Sequence, residues 1–342
     1  MNSMMCRSLG AAGLVLTLLT VPACLEHSEI DVHVSGIGSD SETATRRAAL
    51  SALDSSGKPI PLTASNTTVT VQTRQNGGPW SSATAVQLDF SGPAHIDTVL
   101  VSDNSGSLET ELAQMKAALK SFTHLLLNGN GRDRVGLVRV STVSTLEQTL
   151  TDDEAEIDAA VDDLFITNGW TAFYDGVRLA NEALDDGAAA QAGQSGSSYC
   201  VDEAYRAIVA FTDGDDNHSE GQHSTDSPDD GVATKLEDLY DLQVNNVATP
   251  IYTVGIGNKL DATVLQDLSA QTGGTYRDIA SYRQLKGALT STANQLESSA
   301  AICFEAAACQ DNEAKLRVEV THQGQTAVEE FIVDLAPAGC TQ

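Results

Sequence analysis

Between about residues 95 and 298, short apolar runs alternate with stretches of helical periodicity. No other feature constrains the fold as tightly, because strands that alternate with helices close into a mainly parallel sheet covered on both faces. The strand candidates are Thr98–Val101, Val135–Val140, Ala207–Phe211, Ile251–Val254 and Thr275–Asp278. Leu108, Leu112, Met115, Leu119 and Phe122 recur at helical spacing and mark a core-facing stripe. Asp158 to Phe165, Ala172 to Leu184, Lys235 to Leu242, Val264 to Ala270 and Leu285 to Leu296 also read as helices. The expected fold class is α/β, a doubly wound, mainly parallel sheet flanked by helices.

The flanks read differently. Residues 24–45 are polar and suggest a tether with one strand at Ile30–Val34, and residues 46–94 alternate apolar and polar side chains between turn signals such as Asn76-Gly77-Gly78-Pro79. Residues 300–342 return to alternation, with Leu316, Val318 and Val320 on one side of Gln323-Gly324 and Val328, Phe331 and Val333 on the other. β segments before and after residues 95–299 suggest one small all-β module with the α/β unit inserted between its strands. Two separate appendages are the alternative.

Charge removes several function classes. The chain has 19 Lys+Arg against 47 Asp+Glu, a net charge of −28. Nucleic-acid phosphates and anionic lipid surfaces repel such a chain. Abundant carboxylates are also the raw material for binding hard cations.

At the start, Arg7 precedes an apolar run from Leu9 to Val21, too short for an ordinary membrane helix and suited to a secretory signal over residues 1–23. Val21-Pro22-Ala23-Cys24 resembles a bacterial lipobox, which implies lipidation at Cys24 and a lipid-anchored envelope protein, with the outer membrane or cell surface favoured. The alternative is a plain secretory signal and a periplasmic or secreted chain. Export suits disulfides among Cys200, Cys303, Cys309 and Cys340, and Cys303 with Cys309 or Cys340 is the favoured pairing because all three lie in the C-terminal tail.

Three oxygen-rich places fall at ends of these elements: Asp103-Asn104-Ser105-Gly106-Ser107 after a strand, Asn168-Gly169-Trp170-Thr171 before a helix, and Thr212-Asp213-Gly214 after another strand. Ligands of open α/β sheets bind outside the carboxyl ends of the strands, so these loops are expected to converge. The D-x-S-x-S of Asp103, Ser105 and Ser107, the later Thr171, and Asp213 in T-D-G resemble the metal-ion-dependent adhesion site of von Willebrand factor type A domains. Val254-Gly255-Ile256-Gly257 and Gln271-Thr272-Gly273-Gly274-Thr275-Tyr276 resemble that family's last strands. Trp170 stands where the family more often has Gly. The resemblance implies a divalent cation, Mg²⁺ (or Mn²⁺ or Ca²⁺), held by Asp103, Ser105, Ser107, Thr171 and Asp213.

The donor chemistry suits that implication. Hard dications take oxygen ligands, and Mg²⁺ keeps several waters. Two carboxylates cancel the charge and hydroxyls add only dipoles, so a partner's carboxylate can still approach. Asp215, Asp216, Glu220, Asp229 and Asp230 read as a solvated acidic rim, and His218 and His223 as surface-loop residues. Glu109 and Glu111 match an integrin-like second cation site poorly, because Thr110 replaces an Asp. The expected function is a cell-envelope binding module that captures a protein partner's Asp or Glu and touches membrane only through its lipid. A metal-stabilised structural protein, or a metal-assisted hydrolase using Asp213, Asp215, Asp216, His218 and His223, are the alternatives. No nucleophile-elbow, P-loop or H-E-x-x-H motif supports an enzyme.

Overall fold

The structure, a computed structural model, describes residues 30–39, 45–75, 77–92, 95–106, 110–127, 132–167, 169–191, 204–219, 234–244, 247–306 and 313–335. The signal segment, Cys24, Ser107, Glu109, Glu220, His223, Asp229, Asp230, Cys200, Cys309 and Cys340 lie outside these residues.

The chain opens with β1 (Ile30–Ser39) and β2 (Thr45–Asp54), paired antiparallel, then β3 (Thr67–Arg74), β4 (Ser81–Ser82) and β5 (Thr84–Asp89). The strand expected at Ile30–Val34 is present and runs on to Ser39. β1 is a ten-residue strand, and Ile30, Val32 and Val34 bury one of its faces. β2 falls in the segment expected to be β, but its residues 46–53 are buried on both faces rather than alternating.

The α/β unit follows. β6 (Ile96–Asp103), α1 (Leu112–Leu127), β7 (Arg134–Val140), β8 (Thr145–Thr151), α2 (Glu154–Asp163), α3 (Phe173–Gln191) and β9 (Tyr205–Thr212) come first. A 3₁₀ turn at Leu236–Leu239 leads to β10 (Gln243–Val244), β11 (Val247–Ala248) and β12 (Ile251–Ile256). α4 (Ala262–Thr272), β13 (Tyr276–Ile279) and α5 (Leu285–Glu297) complete the unit. The helix expected at Lys235–Leu242 does not form. Only a single 3₁₀ turn forms there, at Leu236–Leu239 with Leu239 buried, and the chain then turns into β10. The antiparallel edge strand β8 was not expected, because most of its residues are polar and partly exposed.

The sheet order is β13-β12-β9-β6-β7-β8, parallel except at β8. On one face Leu100 and Val209 pack with Met115, Leu119 and Phe122 of α1 and Leu289 of α5; on the other Val99, Val101 and Ile208 pack with Val177 and Leu184 of α3. At Gly176 a Cβ would lie 2.3 Å from Val140 Cγ2, so only glycine lets α3 approach β7 this closely. Truncating a fully buried leucine such as Leu119 to alanine would cost about 2–5 kcal/mol.

β14 (Ala300–Glu305), β15 (Glu313–His322) and β16 (Gln325–Asp334) return to the first strands. β14 lies between β2 and β5, while β15 pairs with β3 and β16. Two sheets, β10-β11-β1-β2-β14-β5 and β16-β15-β3-β4, enclose a core containing Leu50, Val71, Ile302, Phe304 and Leu316. β10 and β11 belong by sequence to the α/β unit yet extend this sandwich, at Gly38↔Val247, and so join the two. Among the described residues, no helix is long and apolar enough to cross a membrane.

Candidate metal centre

The chain passes from β6 outward to β7 on one side, and later lays β9 on the other side of β6. This reversal opens a crevice at the carboxyl ends of β6 and β9. Asp103 is the last residue of β6 and is fully buried. Thr212, the last residue of β9, donates from Oγ1 to Asp103 Oδ2 at 2.6 Å. The same hydroxyl lies 2.8 Å from the carbonyl of Gly214, and its single proton serves one acceptor at a time. The backbone N–H of Ser105 donates to Asp103 Oδ1 at 2.9 Å. Burial pushes the Asp103 carboxyl above its ordinary range, the bonds from Thr212 and Ser105 oppose this, and the charge of Asp213 adds to it. Asp103 and Asp213 therefore sit within electrostatic reach of each other.

Two asparagines that the sequence reading passed over lock the loops together. Asn104 is fully buried, donates from Nδ2 to the carbonyl of Phe165 (3.2 Å), and accepts at its own carbonyl from Thr167 N–H (3.0 Å). That ties the loop after β6 to the one before α3. Asn217 then clasps Thr171: its Oδ1 accepts from Thr171 N–H (2.8 Å), and its N–H donates to Thr171 O (3.0 Å). That ties the loop after β9 to the same place. Nearby, Trp170 N–H donates to Thr142 Oγ1 (2.9 Å), and the Trp170 ring is 43% exposed on the rim. The structure thus brings Asp103, Ser105, Thr171 and Asp213 to one end of the sheet, with Ser105 and Thr171 both buried. The signal that could have revealed the asparagines is their place beside the motif residues, since buried amides at strand ends commonly tie loops.

The acidic rim needs correction. Asp216 is not a solvated rim residue. Its Oδ2 accepts from Tyr174 N–H (2.9 Å) and Ser219 Oγ (2.6 Å), and its Oδ1 from the N–H groups of His218 (3.2 Å) and Ser219 (3.1 Å). Ser219 Oγ accepts in turn from Asp175 N–H (3.1 Å), so Asp216 and Ser219 cap the free amides of α3 from a distant loop. Asp215 Oδ1 accepts from Asp261 N–H (2.5 Å), and Asp261 caps α4 through Thr263 N–H (3.0 Å). His218 is buried rather than on the surface.

Tyr282 was also missed. It is buried just before α5, and its hydroxyl has no hydrogen-bond partner among the described residues. Burial, followed by the charges of Asp213, Asp103 and Glu111, pushes its hydroxyl far above the ordinary tyrosine range. The hydroxyl therefore lies within electrostatic reach of the same acidic spot.

This donor set fits a hard dication. A fully buried carboxylate feels a second carboxylate, and among the described residues no basic side chain acts on it. Hydroxyl oxygens of Ser105 and Thr171 belong to buried residues on the loops around it. Among the described residues no cluster of three His, Cys, Asp or Glu forms a metal cage, so the arrangement is a mixed carboxylate–hydroxyl one.

Residues 98–215 match the family model of the von Willebrand factor type A domain, and they span β6 to the loop after β9. The α/β unit has the von Willebrand factor type A fold. Among solved structures, the chain is similar to proximal thread matrix protein 1 from the mussel byssus, with 18% identity over 65% of this chain and 51% of that one, and a TM-score of 0.46. A second structure of that protein, with a zinc-occupied MIDAS motif (the metal-ion-dependent adhesion site), gives 17% identity, 64% and 49% coverage and a TM-score of 0.45. A von Willebrand factor type A structure from Catenulispora acidiphila gives 13% identity, 90% and 74% coverage and a TM-score of 0.45. The chain spans about half the length of the mussel protein structures it matches. No curated protein matches the sequence.

Proposed function

We propose that the type A domain is a binding module that captures an Asp or Glu of a protein partner through a divalent cation. Asp103, Ser105, Ser107, Thr171 and Asp213 would hold the ion. Mg²⁺ is the first choice, with Mn²⁺ or Ca²⁺ as alternatives. A bound dication supplies Lewis acidity and coordination positions open to a carboxylate. The observation that carries the reading is the Asp103 carboxylate, fully buried within electrostatic reach of Asp213, with no basic side chain acting on it among the described residues. The chain's own groups orient rather than react: Thr212 and the Ser105 amide fix the two oxygens of Asp103, and Asn217 fixes Thr171. Exposed Phe165, Trp170 and Val143 on the neighbouring loops offer an apolar margin for a partner surface.

The module is read as non-catalytic. Asp216, which a hydrolase would draw on, is engaged in capping α3, and Asp215 accepts from the backbone N–H of Asp261, the cap of α4. The test is a pull-down from envelope extract with and without Mg²⁺ or Mn²⁺, comparing wild type with Asp103→Ala. Cation-dependent capture that is lost in the folded variant supports the reading. Capture indifferent to EDTA overturns it, and a variant that melts favours a metal that only stabilises the fold.

Export, lipidation at Cys24 and display on a bacterial envelope belong to the same proposal, as do disulfides among Cys200, Cys303, Cys309 and Cys340. Fractionation checks the anchor: Cys24→Ser should move the chain from the membrane pellet to the soluble fraction, and an unchanged distribution rules the lipid out.

A further inference from the structure

At the opposite end of the α/β sheet from the metal centre, the turn after β2 and the loop from α4 into β13 border a cleft of about 590 Å³. We propose that this cleft binds a small organic molecule with one carboxylate and an apolar body, its carboxylate seated on Arg277. The volume falls in the range of small-molecule sites. Val34, Leu53, Ala270 and Phe331 supply apolar wall on both the sandwich and the type A side.

Arg277 is the reason for the carboxylate. Its guanidinium makes three bonds, all long and all to neutral acceptors: Nε to Thr292 Oγ1 (3.3 Å), Nη1 to the Gly57 carbonyl (3.4 Å) and Nη2 to Gln295 Oε1 (3.3 Å). Among the described residues it forms no salt bridge, in a chain with 47 acidic side chains against 19 Lys+Arg. Burial lowers its hold on the proton, which is what a cation experiences when water is withdrawn and no anion replaces it. A planar guanidinium matches a carboxylate through paired N–H donors.

The other charges in the lining restrict the ligand to a single negative charge. Asp31 and Asp54 also line the cleft. Asp31 contacts His33 Nε2 at 3.1 Å, and Asp54 Oδ1 accepts from the Ser56 and Lys58 amides and the Ser56 hydroxyl. Both are acids tied to sandwich residues rather than to Arg277. With His33 held against Asp31 and one guanidinium facing two carboxylates, the lining as a whole does not attract anions, so a polyanion such as phosphate is disfavoured and a monocarboxylate gains only by pairing directly with Arg277. A molecule that also carries an ammonium gains more.

The experiment titrates the full chain by calorimetry with 4-methylpentanoate, L-leucine and inorganic phosphate. The two carboxylates share an apolar body, and the difference between them reads the contribution of the ammonium. The expected result is a Kd at or below about 1 mM for at least one of them and none for phosphate. Arg277→Gln should weaken binding by about thirtyfold or more. Because Arg277 also braces Gly57, a second variant, Ala270→Trp, fills the cleft from an exposed position of α4 without touching Arg277, and it should abolish binding with the unfolding midpoint retained. Failure of both carboxylates to bind wild type overturns the proposal. So does phosphate binding as tightly as they do, or binding that survives Arg277→Gln.

Discussion

Strand β6 carries a fully buried aspartate at each end, and the two are solved in opposite ways. Asp97, near the amino end, receives a paired contact from Arg134, with Nε and Nη2 both at 2.8 Å, and Arg206 Nε stands 3.8 Å away. Its charge is balanced by the protein. Asp103, at the carboxyl end, has among the described residues only hydroxyl and amide donors and a second acid nearby. Removing an ion from water costs several kcal/mol even after relaxation, so an unbalanced buried carboxylate is expensive to keep. The contrast teaches that one end of the strand is finished by folding, while the other is built to be completed by a cation from outside.

The largest expected effect breaks the finished end. Asp97→Ala strands Arg134 and should cost about 3–5 kcal/mol in urea unfolding. In metal-free protein Asp103→Asn, which keeps the shape and drops the charge, should change stability by less than about 1 kcal/mol or raise it. Equal losses in the two variants would dissolve the contrast.

Next comes the cation itself. Mg²⁺ or Mn²⁺ at a thousandfold excess over its Kd should add about 4 kcal/mol to wild-type stability and nothing to Asp103→Asn. A melt in which both respond alike would place the ion elsewhere. A smaller effect is expected from Thr212→Val, which removes the donor to Asp103 Oδ2. It should cost about 1–3 kcal/mol in the same unfolding assay and weaken the response to Mg²⁺. A response identical to wild type would mean that Thr212 does not position Asp103.

The smallest effect comes from a balanced pair at the surface of the sandwich. Arg74 donates to Glu313 from Nε (2.7 Å) and Nη2 (2.8 Å) and holds its carboxyl below the ordinary value of 4.5. A depressed acid contributes stability that is present above pH 4.5 and lost as pH falls through the lower, folded value. Arg74→Ala should therefore remove a small part of the acid dependence of the unfolding midpoint below pH 4.5 and leave the metal response intact. An unchanged acid limb would mean that the pair contributes nothing.

Much of this was legible in the chain. The helix stripe of Met115, Leu119 and Phe122 and the apolar strands at Val135–Val140 and Ala207–Phe211 were plain because each buries a regular face. The motif residues were visible because loops at strand ends favour Asp, Ser and Thr. What stayed hidden lacked a clear period: β8, polar at an edge, and the 3₁₀ turn that replaced a helix at Leu236–Leu239. Asn104, Asn217 and Tyr282 were hidden for another reason, since each acts on residues remote in sequence.

The local pattern alone determined the alternation of strands and helices, the acidic character of the chain and the donor types at three loops, because these follow from side-chain spacing and charge. Only the tertiary structure decided that Asp213 lies by Asp103 while Asp216 caps α3 and Asp215 holds the residue that caps α4. Neighbouring acids in one loop point to different amides, and which amide each one finds depends on where the sheet has carried the rest of the chain.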